Sequence, residues 1–171
     1  MSVEDGLKHF AKTVIKEART ALTKQDRNVS RDLYDSLKSE LKINKNSFEL
    51  SFYMKDYGKF QDKGVKGKTS SFKAPQSPFK FGSGTGKKGG LTDGILEWVT
   101  KRRFQFREKE TGRFMSYKST AFLITRSIYH KGLKPTNFFT KPFERAFEKL
   151  PDELLEKYGL QVDKLLSDTV V

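Results

Sequence analysis

The chain has 171 residues, enough for one domain with or without an arm; its 35% hydrophobic and 13% aromatic content supplies a core, one rich in the 15 phenylalanines. There is no cysteine, which excludes disulfides, thiolate nucleophiles and cysteine-ligated metal centres, and no apolar run approaches the length of a membrane span. Lysine and arginine outnumber the acids by 34 to 21, and residues 59–118 alone hold 15 basic against 5 acidic side chains, a field that attracts DNA, RNA or an acidic protein surface.

The start, MSVEDGLKHF, has acids where a signal peptide has basic residues, so use without secretion is expected. Residues 3–24 follow as an amphipathic helix, with Leu7, Phe10, Ala11, Val14, Ala18, Ala21 and Leu22 three or four apart. Ser30 is placed to N-cap a short helical turn through Leu33, Tyr34 and Leu37. The period then becomes two: Leu41 and Ile43, then Phe48, Leu50 and Phe52, mark a β-hairpin closed at Asn44-Lys45-Asn46. Asp56 to Gly64 leaves the hairpin as one turn of helix. Residues 64–90, with seven glycines and both Pro75 and Pro78, show no periodicity and read as a long loop that is functional or held by a partner. If this loop serves the assembly of a ring, deleting residues 66–90 is expected to leave the monomer folded but to block assembly. Helix resumes near Leu91 and runs to Lys101-Arg102-Arg103. After an irregular stretch, a second helix covers about Ser116 to Lys131. Leu133 to Asn137 reads as a strand start or bridge, closed by Thr140-Lys141-Pro142. An amphipathic arm follows over about 143–171, helical from Phe143 to Leu166. The pattern predicts one α+β domain over 1–171, with a small antiparallel sheet between N- and C-terminal helices.

Catalysis is not indicated. Gly84-Thr85-Gly86-Lys87-Lys88-Gly89 has the letters of a dinucleotide fingerprint but no buried strand before it and no βαβ context. His9 and His130 lack any metal-ligand spacing, and His130 suits a helix C-terminus. Glu40 and Lys42, after Asp32 and Asp35, only faintly suggest a nuclease. No metal, catalytic residue or cofactor is therefore expected. The basic middle remains: Lys66, Lys68, Lys73, Lys80, Lys87, Lys88, Lys101, Arg102 and Arg103, interleaved with Phe72, Phe79, Phe81, Phe104 and Phe106. Two readings stand. Either rings and cations form a stacking-and-phosphate surface for nucleic acid, or the rings anchor the loop on the domain or a neighbouring subunit while the lysines stay solvated.

Three segments carry a resemblance: Asn28 to Leu37 before the hairpin; Asp56-Tyr57-Gly58-Lys59-Phe60-Gln61-Asp62-Lys63-Gly64; and Lys134 to Glu148, with Phe138, Phe139, Pro142, Phe143 and Ala146. In this order they resemble the head–tail joining and tail-completion (neck) proteins of tailed bacteriophages. The phrases Tyr57 to Gly67 and Ser77 to Gly82 are most similar to versions in crAss-like phages. Arg31 stands where that pattern has glycine, and the 64–90 stretch is longer than usual. The resemblance implies an α+β virion structural protein, a ring subunit around the DNA channel, assembled in the host bacterial cytoplasm. Implied partners are further copies of the chain, other neck, portal and tail proteins, and double-stranded DNA met without sequence preference; no membrane contact is implied. It gives Asp56, Tyr57, Gly58, Phe60, Asp62 and Gly64 a turn at the sheet edge. Phe138, Phe139, Pro142 and Phe143 are expected to pin the last helix to the sheet. The alternative is a non-catalytic nucleic-acid-binding protein acting through the basic middle.

Overall fold

A computed structural model describes residues 3–27, 30–45, 47–84 and 89–150. In chain order the elements are α1 (Val3–Lys24), α2 (Asp32–Ser36), β1 (Lys38–Asn44), β2 (Ser47–Tyr53), α3 (Tyr57–Lys63), β3 (Val65–Lys66), α4 (Gly90–Arg102), α5 (Tyr117–Lys131), β4 (Gly132–Leu133) and α6 (Thr140–Phe147). The fold is α+β. Its strands form two antiparallel pairs, β1 with β2 and β3 with β4. The chain divides into two compact units: Met1–Asp62 with Asn137–Val171, and Lys63–Thr136.

The first unit holds a phenylalanine core. Phe10, Ala11, Val14, Ala18 and Leu22 make one buried stripe along α1, as their spacing predicts, with Glu4 and Asp5 in the first turn and Lys24 in the last to complement the helix dipole. Phe10 meets Phe52, Phe143 and Phe147 edge-on at centroid distances of 6.2, 5.3 and 6.5 Å. Phe52 meets Phe139 and Phe143 at 5.4 and 6.0 Å. Such edge-to-face pairs add about 0.5–1.5 kcal/mol each beyond the area they bury. The hairpin pairs Leu41 with Leu50 and Ile43 with Phe48, placing all four on one face, and Asn44 opposite Ser47 leaves a two-residue turn.

Two ends differ from expectation. The residue before α2 is Arg31, at φ 60°, with no side-chain cap bond; the Ser30 hydroxyl lies 3.5 Å from the Asp32 N–H. This five-residue helix is held instead by buried Leu33 and by Arg19, which donates to the Tyr34 and Leu37 carbonyls at 3.1 Å each. The last helix begins at Thr140 rather than Phe143. Pro142 does not close the preceding segment; it sits in the first turn, where a missing N–H costs nothing. The arm beyond residue 150 lies outside the described residues.

In the second unit, β3 and β4 pair Val65 with Leu133 and Lys66 with Gly132. The backbones approach so closely that a Cβ at Gly67 would collide with the His130 carbonyl oxygen. One at Gly132, where φ is +87°, would lie 2.5 Å from the Val65 oxygen. The part of the 64–90 stretch that is described is not structureless. Lys66 donates to Phe79 and accepts from Phe81, Lys68 donates to Tyr129, and the buried Ser77 hydroxyl donates to the Gly64 carbonyl at 2.7 Å. Turns and single bridges repeat no pattern, which is why periodicity misses them. A deletion of 66–90 would remove half of β3 together with buried Ala74 and Ser77, so it does not spare the fold. Helices α4 and α5 pack together around Val99, Thr120 and Ala121. Ser116 caps α5 by accepting from the Ser119 N–H at 3.0 Å. Among the described residues no helix is long and apolar enough to cross a membrane.

Candidate polyanion-binding surface

The charge divides with the fold. The unit Lys63–Thr136 contains 17 basic and 4 acidic side chains, a net of +13, while the remainder holds 17 of each. One unit of 74 residues thus carries the chain's whole net charge. A field so concentrated draws in polyanions and weakens with salt.

The expected basic residues fall into separate groups. Lys66 is half-buried in β3, and its backbone bridges to Lys80, which is exposed. Lys68 is exposed, its Nζ 5.8 Å from the centre of the Tyr129 ring, and Lys73 lies in the Ser71–Ala74 turn. Lys101, Arg102 and Arg103 end α4. Lys101 pairs with Glu97 at 2.6 Å, and Arg103 adopts φ 53° as the cap. Cations there also complement the helix dipole, so their placement has a local structural cause besides any ligand. Lys87 and Lys88 lie outside the described residues.

The irregular stretch after α4 adds a feature that the sequence reading misses. Met115 donates to the Phe106 carbonyl at 2.8 Å, Glu108 to that of Arg113 at 2.9 Å, and Arg107 bridges Phe114, so residues 106–115 fold back as a small hairpin. Its Arg107 guanidinium lies 4.4 Å over the Phe114 ring. Trp98 leans on Phe104 at 6.2 Å, and Phe104 meets Phe106 edge-on at 5.3 Å. These rings are not core: Phe72 is 90% exposed, Phe114 60% and Phe122 58%. On α5, Lys118, Phe122 and Arg126 are exposed four residues apart, a row that helical spacing puts on one face. Among the described residues the unit buries only small or medium apolar side chains: Val65, Ala74, Val99 and Ala121. Exposed rings beside cations are what a stacked base or a partner protein would cover.

The motif residues do structural work. Gly58 is buried, and a Cβ there would sit 2.7 Å from the Met54 sulfur; Gly64 has φ +69° beneath the Leu133 carbonyl. Asp56, Tyr57 and Phe60 are exposed. Asp62, 2% exposed, accepts from the Phe139 and Thr140 N–H groups at 2.8 and 3.1 Å and from the Thr140 hydroxyl. It thereby caps α6, while Phe138, Pro142 and Phe143 are buried in the same unit.

Several of the candidate catalytic residues have other partners. Glu40 accepts from the Tyr53 hydroxyl at 3.2 Å, and Asp35 faces Arg31 at 3.9 Å. His130 meets Tyr129 edge-on near the end of α5. Gly89 precedes α4 at φ 82°, and Thr85 to Lys88 lie outside the described residues. No three His, Asp or Glu side chains among the described residues converge on a metal-sized site. Comparison with family models, with curated proteins and with solved structures finds no match to the chain.

Proposed function

We propose that this chain is a virion structural protein, a non-catalytic ring subunit of the head–tail connector in the neck of a tailed bacteriophage. The observation that carries the reading is the partition of charge: a neutral unit with the phenylalanine core, and a unit of net +13. Lysine point charges attract phosphate without reading bases, which suits a DNA channel that must let every sequence pass. The resemblance supports the phage context, and two of its segments meet where Asp62 caps α6. Exposed rings on a basic unit suit a subunit that neighbours complete. The test is gold-antibody labelling of particles from the source lysate under negative-stain electron microscopy. Label confined to the head–tail junction is expected; particles that never carry it refute the neck reading.

The exposed rings around Arg107 favour one second reading, a free protein binding single-stranded nucleic acid. It requires tighter binding to single-stranded than to double-stranded DNA at equal salt. A channel subunit requires no such preference.

A further inference from the structure

Within the first unit, α1 and the β1–β2 hairpin leave a groove of about 800 Å³ between them. Its floor is aliphatic, with Ile15, Leu41 and Leu50, and its rim is cationic, with Lys12, Lys16 and Arg19. Among the described residues no acidic side chain lines it. Lys8, also on the rim, is paired with Glu4, which raises its pKa above the usual 10.5. No carboxylate among the described residues pairs with Lys12 or Lys16. Arg19 is held by backbone carbonyls, which leave its charge uncompensated. The apolar face continues beyond the groove to Ile43, which is 54% exposed.

An aliphatic floor under a basic rim fits an acidic amphipathic segment better than a nucleic acid. Tyr34, the one ring among the described residues that line the groove, already carries the Arg19 and Arg31 guanidiniums at 5.0 and 4.8 Å, so it is no stacking platform. The chain itself contains such a segment. Residues 151–171 hold five acids and two lysines, and Leu154, Leu155, Tyr158, Val162, Leu165 and Leu166 recur at helical spacing. They follow Leu150, which is buried in the first unit's core. Without this segment, that unit has 15 basic and 12 acidic side chains; with it, the unit is neutral.

We propose that the groove between α1 and the hairpin receives the acidic C-terminal segment, residues 151–171, of a second copy of this chain. Groove and segment are different patches, so the contact is head-to-tail and propagates into a ring when the rotation closes. The choice of a second copy over the chain's own segment rests on the ring reading above.

The test is sedimentation velocity on full-length chains, with circular dichroism to verify folding. The wild type is expected to self-associate and to loosen with added salt. Lys12→Glu/Lys16→Glu spoils the groove and Leu154→Asp/Leu155→Asp spoils the segment; each is expected to weaken association at least about tenfold. An equimolar mixture of the two variants should form a one-to-one complex, since it holds one sound groove and one sound segment. Adding Asp152→Lys/Glu153→Lys to the groove variant should restore association. A wild type that stays monomeric at about 100 µM, a level at which even weak contacts register, overturns the proposal. Variants that associate like the wild type, or a mixture that yields no complex, also overturn it. A monomer whose melting point falls in the segment variant assigns the groove to its own chain instead. Because the assay needs no particles, failed labelling would remove the neck reading while the solution result stood.

Discussion

Removing the Asp62 carboxylate tests how the two ends of the first unit are joined. Asp62→Ala deprives three donors of their acceptor: the N–H of Phe139, whose residue is 1% exposed, and the N–H and hydroxyl of half-buried Thr140. The Phe139 N–H has no route to water, and an orphaned buried donor costs about 1–3 kcal/mol. Water reaches the Thr140 groups in part, so they add about 1 kcal/mol, a sum in keeping with a lost helix cap. The expected total is about 2–4 kcal/mol, a large share of the roughly 5–15 kcal/mol that stabilises an ordinary domain. Asp62→Asn keeps an oxygen for the two N–H groups and loses the charge, so about 1–2 kcal/mol is expected. Urea titration followed by far-ultraviolet circular dichroism measures both. An alanine variant within about 0.5 kcal/mol of wild type would refute the capping account, as would an asparagine variant less stable than the alanine one.

Three further outcomes follow from other parts of the fold. Phe10→Ala removes the ring that faces Phe52, Phe143 and Phe147, and about 3–5 kcal/mol should be lost in the same titration. Gly67→Ala drives a methyl into the His130 carbonyl, whereas Gly112→Ala, at φ +67°, meets nothing within 4 Å. Thermal melts should show the first as severely destabilising and the second as costing about 1–2 kcal/mol; equal effects would discount the close approach. If Lys63–Thr136 meets DNA through the end of α4, Arg102→Ala/Arg103→Ala should flatten the log-affinity against log-salt slope by about 1.8; an unchanged slope places the phosphate contacts elsewhere.

Helices and hairpin were legible wherever one face is buried along a regular element. The stripe from Phe10 to Leu22 gave α1 its bounds, and the alternation from Leu41 to Phe52 gave the hairpin. Structure held by single contacts was not legible. Ser30 has the chemistry of an N-cap, yet α2 is fastened by Arg19 from another helix, and no local pattern encodes that bond. The 64–84 stretch is held by Lys66 bonding Phe79 and Phe81 and by Ser77 reaching Gly64, contacts that leave no period in the sequence. Of the candidate surface, the cations were readable one by one. The fold-back that sets Arg107 on Phe114 was not, because it depends on Thr120 of the next helix accepting from the Phe106 N–H at 3.2 Å.

The charge partition shows why a linear reading blurred the site. Windows along the chain give +10 for residues 59–118 and +3 for 119–137, flanked by +2 at the start and −2 at the end. Read in line, these look like a basic middle fading into weakly charged ends. The +2 and −2 fall in the same unit, Met1–Asp62 with Asn137–Val171, while Lys63–Thr136 forms a unit between them in sequence. Lys59 and Asp62 fall on the first unit's side of the boundary. Once the chain is cut where it folds, one side sums to zero and the other to the full +13. The division fits a subunit with two tasks, one unit holding itself together through phenylalanine packing and the other presenting its charge to a polyanion.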